Sequence, residues 1–151
     1  MANLKLFVWA LVAGSFIPLV GILNGRAGRV LGDPLFACVL VFIVGLVLAI
    51  AVTAFTGRGM PDFQSFRQLK GIEYFAGFVV AFYVLSATVL AGKIGVANFI
   101  VMAVSGQIIF SLLIDHFGLF GAPIRPVNLL QIAGAIMLLG GLVITQFANG
   151  K

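Results

Sequence analysis

Charge is what this sequence lacks most. Only 9% of its 151 residues are Asp, Glu, Lys or Arg, against about 25% in an ordinary soluble domain. With 62% hydrophobic residues and a mean hydropathy of +1.24, a soluble globular fold is excluded. Cysteine occurs once, at Cys38, so no intrachain disulfide can form and the thiol reads as a packing residue. Histidine also occurs once. The four carboxylates, Asp33, Asp62, Glu73 and Asp115, all fall at expected helix ends or in connections. A metal site needs several convergent ligands, and only Asp115 and His116 are neighbours. A hydrolytic triad needs a nucleophile near His116 that nothing in the spacing specifies. No catalytic residue, metal or cofactor is expected, and the chain reads as a non-enzyme. The apolar runs also lack any Asp, Glu, Lys or Arg at their centres. Exchange of protons for cations calls for a buried carboxylate in the first run, which offers only Ser15, Pro18 and Asn24. Cationic drug efflux by that route is therefore disfavoured.

What is present is hydrocarbon. Uncharged runs cover residues 6–25, 34–57, 74–92, 94–114 and 126–150, each long enough for the roughly 20 residues of helix that cross a bilayer core. The expected fold is all-α and polytopic: one transmembrane domain over 1–151, with five spans at about 5–24, 35–56, 73–91, 95–114 and 127–147. The first run is too long for the apolar core of a cleaved leader and is retained as a span. Too little chain remains between the runs for a water-soluble domain.

Glycine, proline and charge mark the connections. The first is Asn24-Gly25-Arg26-Ala27-Gly28-Arg29 with Gly32-Asp33-Pro34. The second, Gly57 to Glu73, sets Phe63, Phe66, Leu69 and Ile72 three residues apart, which fits an interfacial amphipathic segment over about 61–72. Gly92-Lys93-Ile94-Gly95 separates the third and fourth runs as a tight hairpin, although a four-span variant is also compatible. Asp115 to Pro126 supplies the last connection.

The nine Lys and Arg give a net charge of +5 but are scattered, which fits lipid headgroups and not nucleic acid. On the N-terminal side of the bilayer lie Lys5, Arg58, Arg67, Lys70 and Arg125; on the other lie Arg26, Arg29, Lys93 and Lys151. Five against four is almost no positive-inside bias. Either a partner holds the chain, or single copies insert both ways round. With an odd number of spans, an up copy and a down copy would pair as an antiparallel homodimer with the inverted-repeat geometry of many transporters. The remaining alternative is that a bias of one suffices for a single orientation.

The fourth run carries Asn98, Ser105, Gln107 and Ser111 before Asp115. Asn98 and Ser105 share one side of a helix, and Gln107, Ser111 and Asp115 form an i, i+4, i+8 row on another. These are candidates for a substrate cavity, with Asn24 as a further polar group and Trp9 and Tyr83 as aromatic walls. The competing reading of the polar residues is hydrogen-bonding glue between helices. Phe75, Phe78 and Phe82 share a face that reads as packing or lipid contact. Asp115 opposes the negative end of its helix and calls for a cation. With His116 and Arg125 it forms a charge cluster, either a clamp on its connection or a gate. Gly21 and Gly25 form a GxxxG, and Gly77, Gly106 and Gly134 are further candidates for close helix packing.

Pro18 to Gly25, Gly45, Gly106-Gln107, Ser111, Ile114-Asp115-His116-Phe117-Gly118 and a glycine-rich final run together resemble the YdcZ family of bacterial inner-membrane exporters, within the drug/metabolite transporter (DMT) superfamily. The likeness covers nearly the whole chain, and its specific part is the GQ…S…IDHFG segment. It implies a multi-pass inner-membrane protein, five helices that are half of a ten-helix inverted-repeat fold, and carry-over of Gln107, Ser111, Asp115 and His116 to the signature segment without an assigned role. The expected function is secondary transport by alternating access, as an exporter of small metabolites of unknown identity. A passive ion or small-solute channel and a non-transporting membrane subunit are the alternatives.

Overall fold

The computed structural model describes residues 2–57, 59 and 62–149. Arg58, Pro61 and Lys151, which entered the charge count and the interfacial segment, lie outside the described residues. Those described form seven α-helices and no strand. Five helical stretches are long and apolar enough to cross a membrane: Leu4–Leu31, Pro34–Phe55, Gly71–Ile94, Val96–Phe117 and Leu129–Gln146. The chain divides into two compact units, Met1–Val96 and Ala97–Lys151.

In the first unit, α1 (Ala2–Ser15) and α2 (Ile17–Leu31) form one broken span. The break has a local cause: Pro18 has no N–H to give the preceding turn, and the ladder resumes with Leu19 N–H donating to Phe16 O at 3.1 Å. The polar stretch Asn24 to Arg29 is helical, contrary to the expectation of a connection there. Helix α2 runs on to Leu31 and stops at Gly32, whose φ of 81° is left-handed and suits glycine. Only Gly32 and Asp33 then separate α2 from α3 (Pro34–Phe55), where Asp33 caps the new helix by accepting from Leu35 N–H at 2.7 Å and Pro34 takes the first position.

Within the stretch expected to be interfacial, Phe63–Arg67 forms the short helix α4. Arg67 lies 5.6 Å from the Phe63 ring centroid, and Tyr74 donates its hydroxyl to Phe66 O at 3.2 Å, tying α4 to α5 (Gly71–Ile94). Helices α2, α3 and α5 pack against one another. Their contact is made of small residues: Gly21, Asn24 and Gly28 on α2, Ala37 and Cys38 on α3, and Ala87, Thr88 and Ala91 on α5 are all buried. Lipid is as apolar as leucine, so helices in a bilayer gain by close backbone approach and not by burying large aliphatics. The large aliphatic and aromatic side chains accordingly point outward, from Phe7 on α1 to Phe82 on α5.

The second unit holds most of α6 (Val96–Phe117), a single 3₁₀ turn at Leu119–Gly121 and α7 (Leu129–Asn149). Asn128 and Gln131 form a reciprocal cap at the start of α7: Asn128 Oδ1 accepts from Gln131 N–H at 2.8 Å, and Gln131 Oε1 accepts from Asn128 N–H at 3.0 Å. An apolar groove of about 430 Å³ runs between the two helices, walled by Ile109, Leu112 and Leu113 on one side and Ile132, Ile136 and Leu139 on the other.

Candidate functional site

The polar centre of the first unit is a three-residue network inside the α2–α3–α5 contact. Asn24, 6% exposed, donates Nδ2–H to Thr88 Oγ1 at 3.1 Å. Cys38 Sγ lies 3.5 Å from the same oxygen, and Thr88 in turn donates to Val84 O on its own helix at 2.8 Å. One hydroxyl thus joins three helices. Asn24, a polar substrate-cavity candidate by sequence, is packed in this network, because a buried amide in an apolar contact must find a partner.

Immediately beside the network is a recess of about 370 Å³ lined by Gly25, Gly28, Arg29, Gly32, Pro34, Thr88, Val89, Gly92 and Lys93. Its narrowness follows from Gly28: a Cβ built there would stand 3.1 Å from Pro34 Cα, so glycine is what lets the start of α3 fold back on α2. Gly21 has the same role against α5, where a Cβ would lie 3.1 Å from the Ala91 methyl. Gly25, Gly77, Gly106 and Gly134 do not: no neighbouring helix lies within 4 Å of a Cβ at any of them. The packing stripe is 21-24-28, an i, i+3, i+7 row, and not the GxxxG pair 21-25. The helical period of the small residues was the signal for it; Thr88, Arg29 and Lys93 were missed because each is unremarkable on its own helix.

Trp9 is 73% exposed on α1 and Tyr83 is half-buried on α5. In the second unit, Asn98 and Ser105 are half-buried on α6 while Gln107 and Ser111 are exposed. Ser105 donates to Val101 O at 2.8 Å and Ser111 to Ile108 O at 2.9 Å, so both hydroxyls return to their own helix.

Asp115, His116 and Arg125 do come together, but through the backbone. Arg125 N–H donates to Asp115 O at 2.8 Å and Val127 N–H donates to His116 Nδ1 at 3.2 Å. The His116 ring meets the Phe117 ring edge-on at 4.7 Å. The sequence calls for a cation at Asp115, from Arg125, His116 or a second copy; what joins Asp115 to Arg125 here is this main-chain bond, which satisfies one of the carbonyls left open at the end of α6. Gly118, at φ 62°, turns the chain between them.

Compared with known protein families, residues 5–144 match the family model described as "Putative inner membrane exporter, YdcZ", of the DMT group. The chain belongs to the YdcZ family. Comparisons with curated proteins and with solved structures gave no match. The YdcZ match makes this a multi-pass inner-membrane protein of an exporter family, and it points away from an enzyme. It spans both units, from the first turns of α1 into the last turns of α7.

In this YdcZ chain the Asn24–Thr88 bond is expected to contribute modestly. Hydrogen bonds between membrane helices average about 0.6 kcal/mol in double-mutant cycles and reach about 1.7. The cycle Asn24→Ala, Thr88→Val should return a coupling in that interval when unfolding is followed in detergent. A coupling of zero would mean that the pair is held by packing alone.

Proposed function

We propose that the protein is a secondary transporter that exports small metabolites by alternating access, working as an antiparallel homodimer of dual-topology chains. The observation that carries the assembly is the charge balance: five Lys and Arg on one side of five spans and four on the other. Near-equal counts give neither orientation an advantage, and an odd number of spans relates an up copy to a down copy by a two-fold axis in the membrane plane. The exporter half of the reading is supported by the family. One observation on α6 fits a further covering surface: Gln107 and Ser111 are exposed within their own unit, on a helix long enough to cross the bilayer. Polar side chains at that depth are usually covered by protein or by a water-filled cavity. In the assembly the α6 residues Asn98, Ser105, Gln107 and Ser111 line the substrate path, each contributed twice.

The test is transport by the full chain in proteoliposomes loaded with defined pools of small metabolites. Alternating access predicts that efflux of the responsive solute is accelerated by the same solute outside. Flux without such counterflow would assign a channel. Gln107→Ala should slow efflux by about two- to twelvefold, the equivalent of one hydrogen bond of about 0.5–1.5 kcal/mol, at unchanged expression. Unchanged efflux would remove Gln107 from the path.

A further inference from the structure

We propose that the recess between the ends of α2, α3 and α5 is a binding site for a phosphate group, held by Arg29 and Lys93. Both cations line the same recess, one from the last turn of α2 and the other from the last turn of α5. Each complements the negative end of its own helix. That accounts for a cation on each helix but not for their convergence, since two like charges facing one recess repel. The nearest acidic residue in sequence, Asp33, turns one carboxylate oxygen to capping α3 and can offset at most one of the two positive charges. Among the described residues neither Arg29 nor Lys93 forms an ion pair. An anion between them supplies the missing charge.

The surroundings favour phosphate at the membrane surface. At about 1.5 Å per residue, the 28 residues of Leu4–Leu31 exceed the roughly 30 Å of hydrocarbon. The last turns of α2 therefore reach headgroup level, as does Asp33-Pro34, where α3 begins. Gly25, Gly28, Gly32 and Gly92 open the recess by carrying no side chains, and Val89 and Pro34 give it an apolar wall. Guanidinium presents a planar fork that fits two phosphate oxygens, and the ammonium of Lys93 adds a point charge. The phosphate can belong to an anionic phospholipid or to a free phosphate-bearing solute. The site does not depend on the transport reading.

The experiment is native mass spectrometry of the full chain in a neutral detergent, titrated with phosphatidylglycerol, with phosphatidylcholine and with inorganic phosphate. The variants are Arg29→Gln/Lys93→Gln, the charge-matched control Lys5→Gln/Arg26→Gln, whose cations lie outside the recess, and the charge-retaining Arg29→Lys/Lys93→Arg. The expected result is saturable retention of one phosphatidylglycerol per chain, lost at least tenfold in Arg29→Gln/Lys93→Gln and kept in the control and in the charge-retaining pair. Displacement of the lipid by millimolar inorganic phosphate assigns a site open to free solutes; retention against it assigns a lipid site. Equal loss in the control pair, or no saturable binding of either phosphate probe, would overturn the proposal. Far-ultraviolet circular dichroism on each variant separates lost binding from lost fold.

Discussion

Gly21→Leu is expected to lower the unfolding free energy of the chain by about 3 kcal/mol, the upper end of the usual range for forcing a larger side chain into a filled contact. A single added Cβ would already stand 3.1 Å from the Ala91 methyl and 3.5 Å from Ala87 O. Three further carbons have no space unless α2 and α5 separate, and separation would also break the Asn24–Thr88 bond one turn away. Gly21→Ala asks only for a shift of a few tenths of an ångström and gains helix propensity, so it should change stability by less than about 1 kcal/mol. Gly77→Leu is the contrast: a Cβ there meets nothing within 4 Å, and the substitution should be neutral or mildly stabilising. Reversible unfolding in mixed micelles, read by helical circular dichroism, orders the three. Equal losses for Gly21→Leu and Gly77→Leu would contradict the α2–α5 contact.

The second large effect is at Gly118, where two independent penalties meet. Its φ of 62° is left-handed, which costs a β-branched residue about 1–2 kcal/mol. A Cβ there would also lie 2.6 Å from Ile124 Cγ1 and 3.1 Å from Ala122 O. Gly118→Val should therefore destabilise by about 2–4 kcal/mol, combining strain with overpacking. The loss is local in character. The turn that Gly118 makes is what lets Arg125 N–H reach Asp115 O and Val127 N–H reach His116 Nδ1. Amide exchange at Arg125 and Val127 should accelerate in the variant, with α5 unaffected. Adding Ile124→Ala to Gly118→Ala should recover the clash with Ile124 and leave the left-handed strain and the contact with Ala122 O. Full recovery would mean that neither the left-handed turn nor the Ala122 O contact carries a cost.

The helical membrane architecture was legible from hydropathy alone, because a bilayer demands long uncharged runs and tolerates little else. The family was legible from Gly106-Gln107 through Gly118, a segment whose polar residues have no reason to recur in that order by composition. The polar stretch from Asn24 to Arg29 misled: in water-soluble terms it reads as a loop, yet the broken span Leu4–Leu31 that α1 and α2 make is longer than a bilayer core is thick, so its last turn has room for arginine without leaving the helix. The GxxxG pair misled for a related reason. Gly21 and Gly25 lie on one face, but the contact with α3 and α5 follows the row through Asn24 to Gly28, and only the neighbours decide which of two overlapping rows is covered. Thr88 could not be singled out by its own helix. Its meaning comes from Asn24 and Cys38, which are 64 and 50 residues away in sequence. The recess with Arg29 and Lys93 is invisible in sequence for the same reason.

The central claim is that copies of this chain insert in both orientations and pair. It is tested most directly by a topology reporter fused at the C-terminus, read in cells for the parent sequence and for variants that add or remove one positive charge at Lys5, Arg29 or Arg125. With five cations against four, the account predicts an intermediate signal that swings toward one side or the other with each single charge. A signal fixed on one side, and unmoved by those changes, would contradict dual insertion and with it the antiparallel homodimer.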